Sequence, residues 1–212
     1  TTSAHCQCEV TDPIPVSEFG DGKDGEITIM KDSNINNEAI ASSRISAGTA
    51  DAIIHSVIQV GEMSVTLPSA PIGLDVGDEV LLYGFGQATL GNYEFKIIAC
   101  IIGNTLVFYE KVINIYETTA MFLQRVPHYQ NVTVSASTHF QAIPFAQNKG
   151  GIFAIRVLGN LTIKENASID MSTAGFPADQ GSGTGKKGGN GGFANQGDGG
   201  GGGGGGGGSH GT

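Results

Sequence analysis

Positive charge and cysteine are what this 212-residue sequence is short of. Lysine and arginine number 11 against 20 aspartates and glutamates, a net charge of −9, and charged residues make up only 15%. So acidic and sparsely charged a surface repels phosphate backbones and anionic bilayers. It excludes electrostatic partnership with nucleic acid or a charged membrane. There is no run of about 18 apolar residues, and so no membrane-spanning helix is expected. The chain opens at Thr1 without a signal-peptide pattern, as a processed, secreted chain would.

The three cysteines, Cys6, Cys8 and Cys100, cannot all pair within one chain. Cys6 and Cys8, two residues apart, sit near the upper limit of about 7 Å for a disulfide. The odd count leaves a thiol free or bonded to another copy, so all three are candidates for an intermolecular disulfide. Within "FKIIACII", Cys100 reads more simply as a small buried hydrophobe. His5 beside Cys6 and Cys8 invites a metal, but a zinc site needs a second distant pair and none is present.

Motifs of catalysis are missing as well. The histidines at 5, 55, 128, 139 and 210 lack ligand spacing; there is no G-x-S-x-G and no H-E-x-x-H. "GTGKKGG" at 183–189 lacks the spacing of a phosphate loop. Glu165 and Asp170 are the only acids among the last strand-like stretches, too sparse a set for the carboxylate pair that flanks a glycosidic bond. The expectation is a protein that is not an enzyme and carries no cofactor, with calcium as one exception to consider. In "GDGKDGE", EF-hand spacing from Asp21 would put Lys23 and Gly25 at ligand positions. That leaves an irregular calcium site through Asp21, Asp24 and Glu26, or a solvated acidic turn.

What is present is β-structure. From residue 26 to 171 short β-branched and aromatic stretches follow one another: "EITIM", "AIIHSVIQV", "MSVTL", "EVLLYG", "YEFKIIACI", "TLVFY", "VINIY", "MFLQR", "NVTVS", "GIFAIRVL", "NLTIK" and "ASIDM". Glycine, asparagine, aspartate or proline separates them, which predicts an all-β chain. Only "NNEAIASSRISAGTADAI" could form a short helix. Residues 72–116 read as a small antiparallel barrel, with Gly103-Asn104 as a two-residue hairpin turn. After it, "FAIRVL", "LTIK" and "SIDM" recur every eight to ten residues, as meander hairpins or as rungs of a parallel β-solenoid. The division expected is an N-terminal arm at 1–25, a first β segment at 26–71, a barrel-like insertion at 72–127, a rung-like segment at 128–174, and a glycine-rich segment at 175–212.

That last segment holds 20 of the chain's 34 glycines, ten of them consecutive at 199–208. It cannot make an ordinary hydrophobic core. Two readings compete: a flexible linker, and extended polyproline-II-like strands lying side by side, whose carbonyls meet neighbouring amides and Cα–H groups. The second is the expectation here. Sequons at Asn131, Asn160 and Asn166 are candidates for glycosylation in a secreted protein.

"DVGDEVLLYG", "GNYEFKIIACIIGNTLVFYEKV", "FLQRVPHYQNVTV", "GGIFAIRVLGNLTI" and "GGGGGGGGSHGT" together resemble glycine-rich, β-helix-like extracellular surface proteins, namely polyglycine-tailed bacterial surface proteins and phage tail-fibre adhesins. The likeness spans residues 70–212 and leaves out the N-terminal arm. It implies a β-solenoid-like or sandwich body with a small inserted barrel, located outside the cell or on a virion. It transfers no catalytic residue. The function expected first is a self-assembling structural subunit of a surface filament, its partner another copy of itself, with Cys6 or Cys8 locking the contact. The alternative is a phage tail or bacterial adhesin binding a cell-surface receptor or glycan, with Phe176 and Phe193 as its aromatic contacts. The abrupt "SHGT" ending suggests that the chain continues past Thr212.

Overall fold

The computed structural model describes residues 17–86 and 88–176. Strand β1 (Gly25–Ile29) and the short β2 (Ser33–Asn34) come first. An antiparallel group follows: β3 (Ile54–Ser56), β4 (Gln59–Val60), β5 (Ser64–Thr66), β6 (Glu79–Gly84), β7 (Tyr93–Ile102), β8 (Thr105–Phe108) and β9 (Met121–Val126). The chain then adds β10 (His128–Val134), β11 (His139–Gln141), β12 (Arg156–Val157), β13 (Leu161–Ile163) and β14 (Ser168–Asp170). The only helical element among the described residues is one 3₁₀ turn, Thr118–Ala120. The all-β expectation therefore holds.

The stretch considered for a helix forms turns instead. Asp51 accepts the amides of Ile40 and Ala41, and the Arg44 guanidinium caps the carbonyls of Thr49, Ala50 and Gly73. Side-chain bonds to the main chain replace the helical ladder there.

Two kinds of sheet divide the molecule. In the first kind every ladder is parallel. β10 lies between β1 on one side and β12 and β13 on the other, while β11 lies between β2 and β14. The step from β11 to β14 is 29 residues, and the one from β1 to β10 reaches 105. The strands are thus stacked in parallel layers and are not meander hairpins. Apolar side chains stack with them: Ile27 on Val132 on Leu161, Ile29 on Val134 on Ile163, Phe140 on Ile169. All of these except the exposed Leu161 and Ile163 form one core with Tyr129, Ile35, Ala41 and Ala52.

The long step is filled by β3 to β9, one sheet in the order β3-β9-β6-β7-β8-β5-β4. Its own core joins Val57, Val65, Leu67, Val80, Leu82, Ile98, Leu106, Phe108 and Leu123. β3 and β4 stand at its opposite edges although two residues separate them in sequence, so the sheet curls sharply around that core. No ladder joins the two edges, which corrects the expected barrel: the sheet is open. The hairpin at Gly103-Asn104 forms as read, with φ +61° at Gly103, the positive value its first turn position requires. "VINIY", read as a strand, is loop.

Aromatic rings fill the seam between the sheet and the stack. Tyr83 stacks on Phe122 and Phe176, and Phe145 packs between Phe85 and Phe176. Phe176, expected as a contact in an exposed loop, is part of this packing. Phe193, the glycine-rich segment from 177 onward, His5, Cys6 and Cys8 lie outside the described residues.

Candidate partner-binding loop and its buried support

Strand β7 reverses the usual in-and-out pattern. Glu94 and Lys96 point into the curled sheet, paired across from Leu82 and Val80, while Tyr93 and Phe95 face outward. Glu94 and Lys96 form a buried ion pair at 3.0 Å. Burying charges is unfavourable unless every partner site is filled, and here they are filled by the loop 109–117. Glu94 accepts the amides of Ile113 and Asn114 at 2.9–3.1 Å, and Lys96 donates to the Lys111 carbonyl at 2.6 Å. Asn114 donates back to the Tyr93 carbonyl and Asn92 to that of Ile115. Burial disfavours the Glu94 carboxylate, but those two amides and Lys96 outweigh it and hold its pKa below the usual carboxylate range.

The loop is therefore fixed at its main chain while its side chains divide. Val112 and Tyr116 pack against the sheet core. Ile113 and Ile115 stand 82% and 80% exposed. Single exposed isoleucines are ordinary on protein surfaces. Two on one loop, held from below by a buried ion pair and six hydrogen bonds, present a rigid apolar contact whose ordering entropy is already spent before any partner arrives.

Behind the loop, the curled sheet is fastened to the stack by a second charged cluster. Arg125 at the end of β9 is fully buried; its guanidinium grips Asp78 at 2.9 Å and Asp24 at 2.7 and 3.0 Å. Asp24 also accepts the His128 amide, so one carboxylate ties the first layer to β9 and β10. Lys23 adds a 3.1 Å contact to Asp78. Burial opposes the Asp78 charge, yet Arg125 and Lys23 keep its pKa below normal. Tyr129 donates to Asp51 at 2.7 Å, and there burial wins, pushing the Asp51 carboxyl up. A third knot joins Glu79 to His128 at 2.8 Å and, through two bonds, to Arg156. Despite burial, these partners lower the Glu79 pKa to about 2.

The expected calcium ligands are not brought together. Asp24 serves Arg125, Asp21 meets His128 at 3.0 Å, and Glu26 accepts from Asn131. Among the described residues no group of three metal-ligating side chains converges. Cys100 is half-buried on β7. Of the sequons, Asn131 has its amide nitrogen engaged by Glu26 and its oxygen by the Asn160 amide; Asn160 and Asn166 are exposed. His55 bonds the Ile72 carbonyl, and burial lowers its pKa. Sequence reasoning missed the loop and its support, because "EFKIIACI" reads as an apolar strand and nothing in it says which side faces in.

No protein-family model matches the chain, and no curated protein does. Among solved structures it is similar to three phage tailspikes. With gp49 of Pseudomonas phage LKA1 it shares 12% identity over 44% of this chain and 22% of that one, at a TM-score of 0.30. With gp61 of Pseudomonas phage phi297 the figures are 17%, 69%, 26% and 0.30. With gp54 of Acinetobacter baumannii bacteriophage AP22, solved in complex with A. baumannii capsular saccharide, they are 14%, 59%, 26% and 0.29. The chain spans about a quarter of the length of these proteins. The expectation that the chain is not an enzyme is withdrawn: sparse carboxylates among the last strands are no ground for excluding activity. No helix among the described residues is long and apolar enough to cross a membrane.

Proposed function

We propose that this chain is a receptor-binding segment of a phage tail adhesin, located on the virion surface. The parallel layers are successive rungs of a β-helix, the curled sheet is a module mounted on it, and the loop 109–117 is the contact with a cell-surface receptor. One observation carries the reading: Ile113 and Ile115 are exposed on a main chain that Glu94 and Lys96 hold rigid. The filament subunit is the weaker reading, because a preorganised apolar contact on a mounted module serves recognition and contributes nothing to stacking the rungs.

Binding of the labelled chain to a panel of bacterial cells tests it. The chain binds at least one strain, and the double variant Ile113→Asp/Ile115→Asp loses about tenfold or more in affinity, the equivalent of one well-packed contact. Its unfolding midpoint stays within about 0.5 kcal/mol of the parent, as for exposed positions generally. Equal binding by the variant removes the loop from the contact, and no binding to any strain removes the adhesin.

A further inference from the structure

The parallel stack is closed at one end and open at the other. At the β1 end, Ile27 and Ile29 are buried and residues 36–52 pack Ala41 and Ala52 into the same core. In the middle layer Val132 and Val134 are fully buried. In the last layer their ladder partners Leu161 and Ile163 are 45% and 46% exposed. The other inward residues of that layer, Phe153, Ile155, Val157 and Ile169, are only half-buried and line a recess of about 490 Å³ walled by Phe19 and Phe95. Parallel sheets are ordinarily covered on all sides, and an uncovered parallel edge is a liability for aggregation. Something therefore belongs on this face.

The sequence does not carry the apolar ladder forward at the same step. Carrying the 29-residue step forward from Leu161, Ile163 and Ile169 lands on Asn190, Gly192 and Asp198. None of these can continue an apolar ladder. From residue 177 to 212 the sequence holds one large apolar side chain, Phe193, and 19 glycines. A glycine backbone satisfies a free strand edge without needing side-chain room, and its missing Cβ atoms allow close approach to the protruding Leu158, Leu161 and Ile163. The chain leaves the last layer at Phe176, and 17 extended residues reach up to about 55 Å, ample for Phe193 to cross the recess.

We propose that the open end of the stack is the seat of the chain's own glycine-rich segment, with Phe193 filling the recess between Phe153, Ile155 and Phe95. The inference rests on the ladders alone and holds whatever the loop 109–117 binds.

The sequence contains no tryptophan, so Phe193→Trp in the full chain gives a single reporter. The expected result is blue-shifted emission, acrylamide quenching several-fold weaker than for free indole, and no change on dilution. Adding Ile163→Asp, or the milder Leu161→Ser should the first perturb the far-UV circular dichroism, returns the emission to that of indole in water. Water-like emission in Phe193→Trp alone overturns the proposal. So does shielding that vanishes on dilution, which assigns the seat to a second copy, and so does shielding that survives the changes at 161 and 163.

Discussion

Replacing Arg125 with methionine keeps most of the side-chain volume and removes one charge from a site with 1% exposure. Four charged contacts to Asp24 and Asp78 disappear, and two buried carboxylates are left facing each other. Breaking a buried ion cluster by removing one partner costs about 3–5 kcal/mol. Lys23 stays beside Asp78 and is partly solvated, so the lower end applies, about 3 kcal/mol. For a chain of this length that corresponds to about 6–12 °C in midpoint, read by thermal unfolding followed in the far-UV. The dependence on pH has a definite sign. In the parent, the lowered Asp78 pKa contributes stability that is present above the unfolded value of about 3.9 and is lost as pH falls through the folded one. In Arg125→Met, burial is no longer opposed by the guanidinium, the Asp78 pKa rises, and the protonated acid is tolerated. The gap between variant and parent therefore narrows as pH drops from 7 toward 4. Adding Asp24→Asn and Asp78→Asn recovers much of the loss, because a neutral cluster has no desolvation deficit. A loss under about 1 kcal/mol, or a gap that widens in acid, refutes the reasoning.

Two further outcomes follow from the other charged knots. Glu79, held at about 2, contributes up to about 3 kcal/mol that disappears between about pH 4.5 and pH 2; Glu79→Gln flattens acid unfolding across that window, and an unchanged acid profile counts against the knot. Glu94→Ala removes the acceptor of the Ile113 and Asn114 amides, so hydrogen exchange there accelerates at least tenfold while the Val80 and Leu123 amides keep their protection; uniform acceleration would mean that Glu94 supports the whole sheet.

The all-β class was legible because β-branched runs and turn residues alternate over local distances, and the Gly103-Asn104 turn because its signal is two residues wide. The regular spacing after residue 150 announced strands but left meander hairpins and parallel rungs both open; the ladders that form there are parallel. The pairing of β1 with β10 was hidden: 105 residues separate Glu26 from Asn131 and no local pattern records the contact. The same holds for Arg125 and Asp24, 101 residues apart, since a buried arginine and an exposed one look identical in composition. "VINIY" misled because its alternation satisfies a strand, whereas Glu94 bonds the amides a neighbouring strand would have used. The barrel fell short of closure for want of a ladder between β3 and β4, which sequence patterning cannot reveal.

The curled sheet has a bearing on how this molecule assembles in time. Ile54 on its first strand lies opposite Gln124 on its last, so the module's entry and exit are neighbours. Once it has formed, the path from β1 to β10 shrinks to nearly the length of an ordinary step, and most of the closure entropy for the first parallel ladder has been met beforehand. The module thus acts as a staple: once set, it brings β1 and β10 within reach of each other. For the same reason, a different module whose ends meet at that spacing could replace it, provided it also supplies a cation for the buried Asp24.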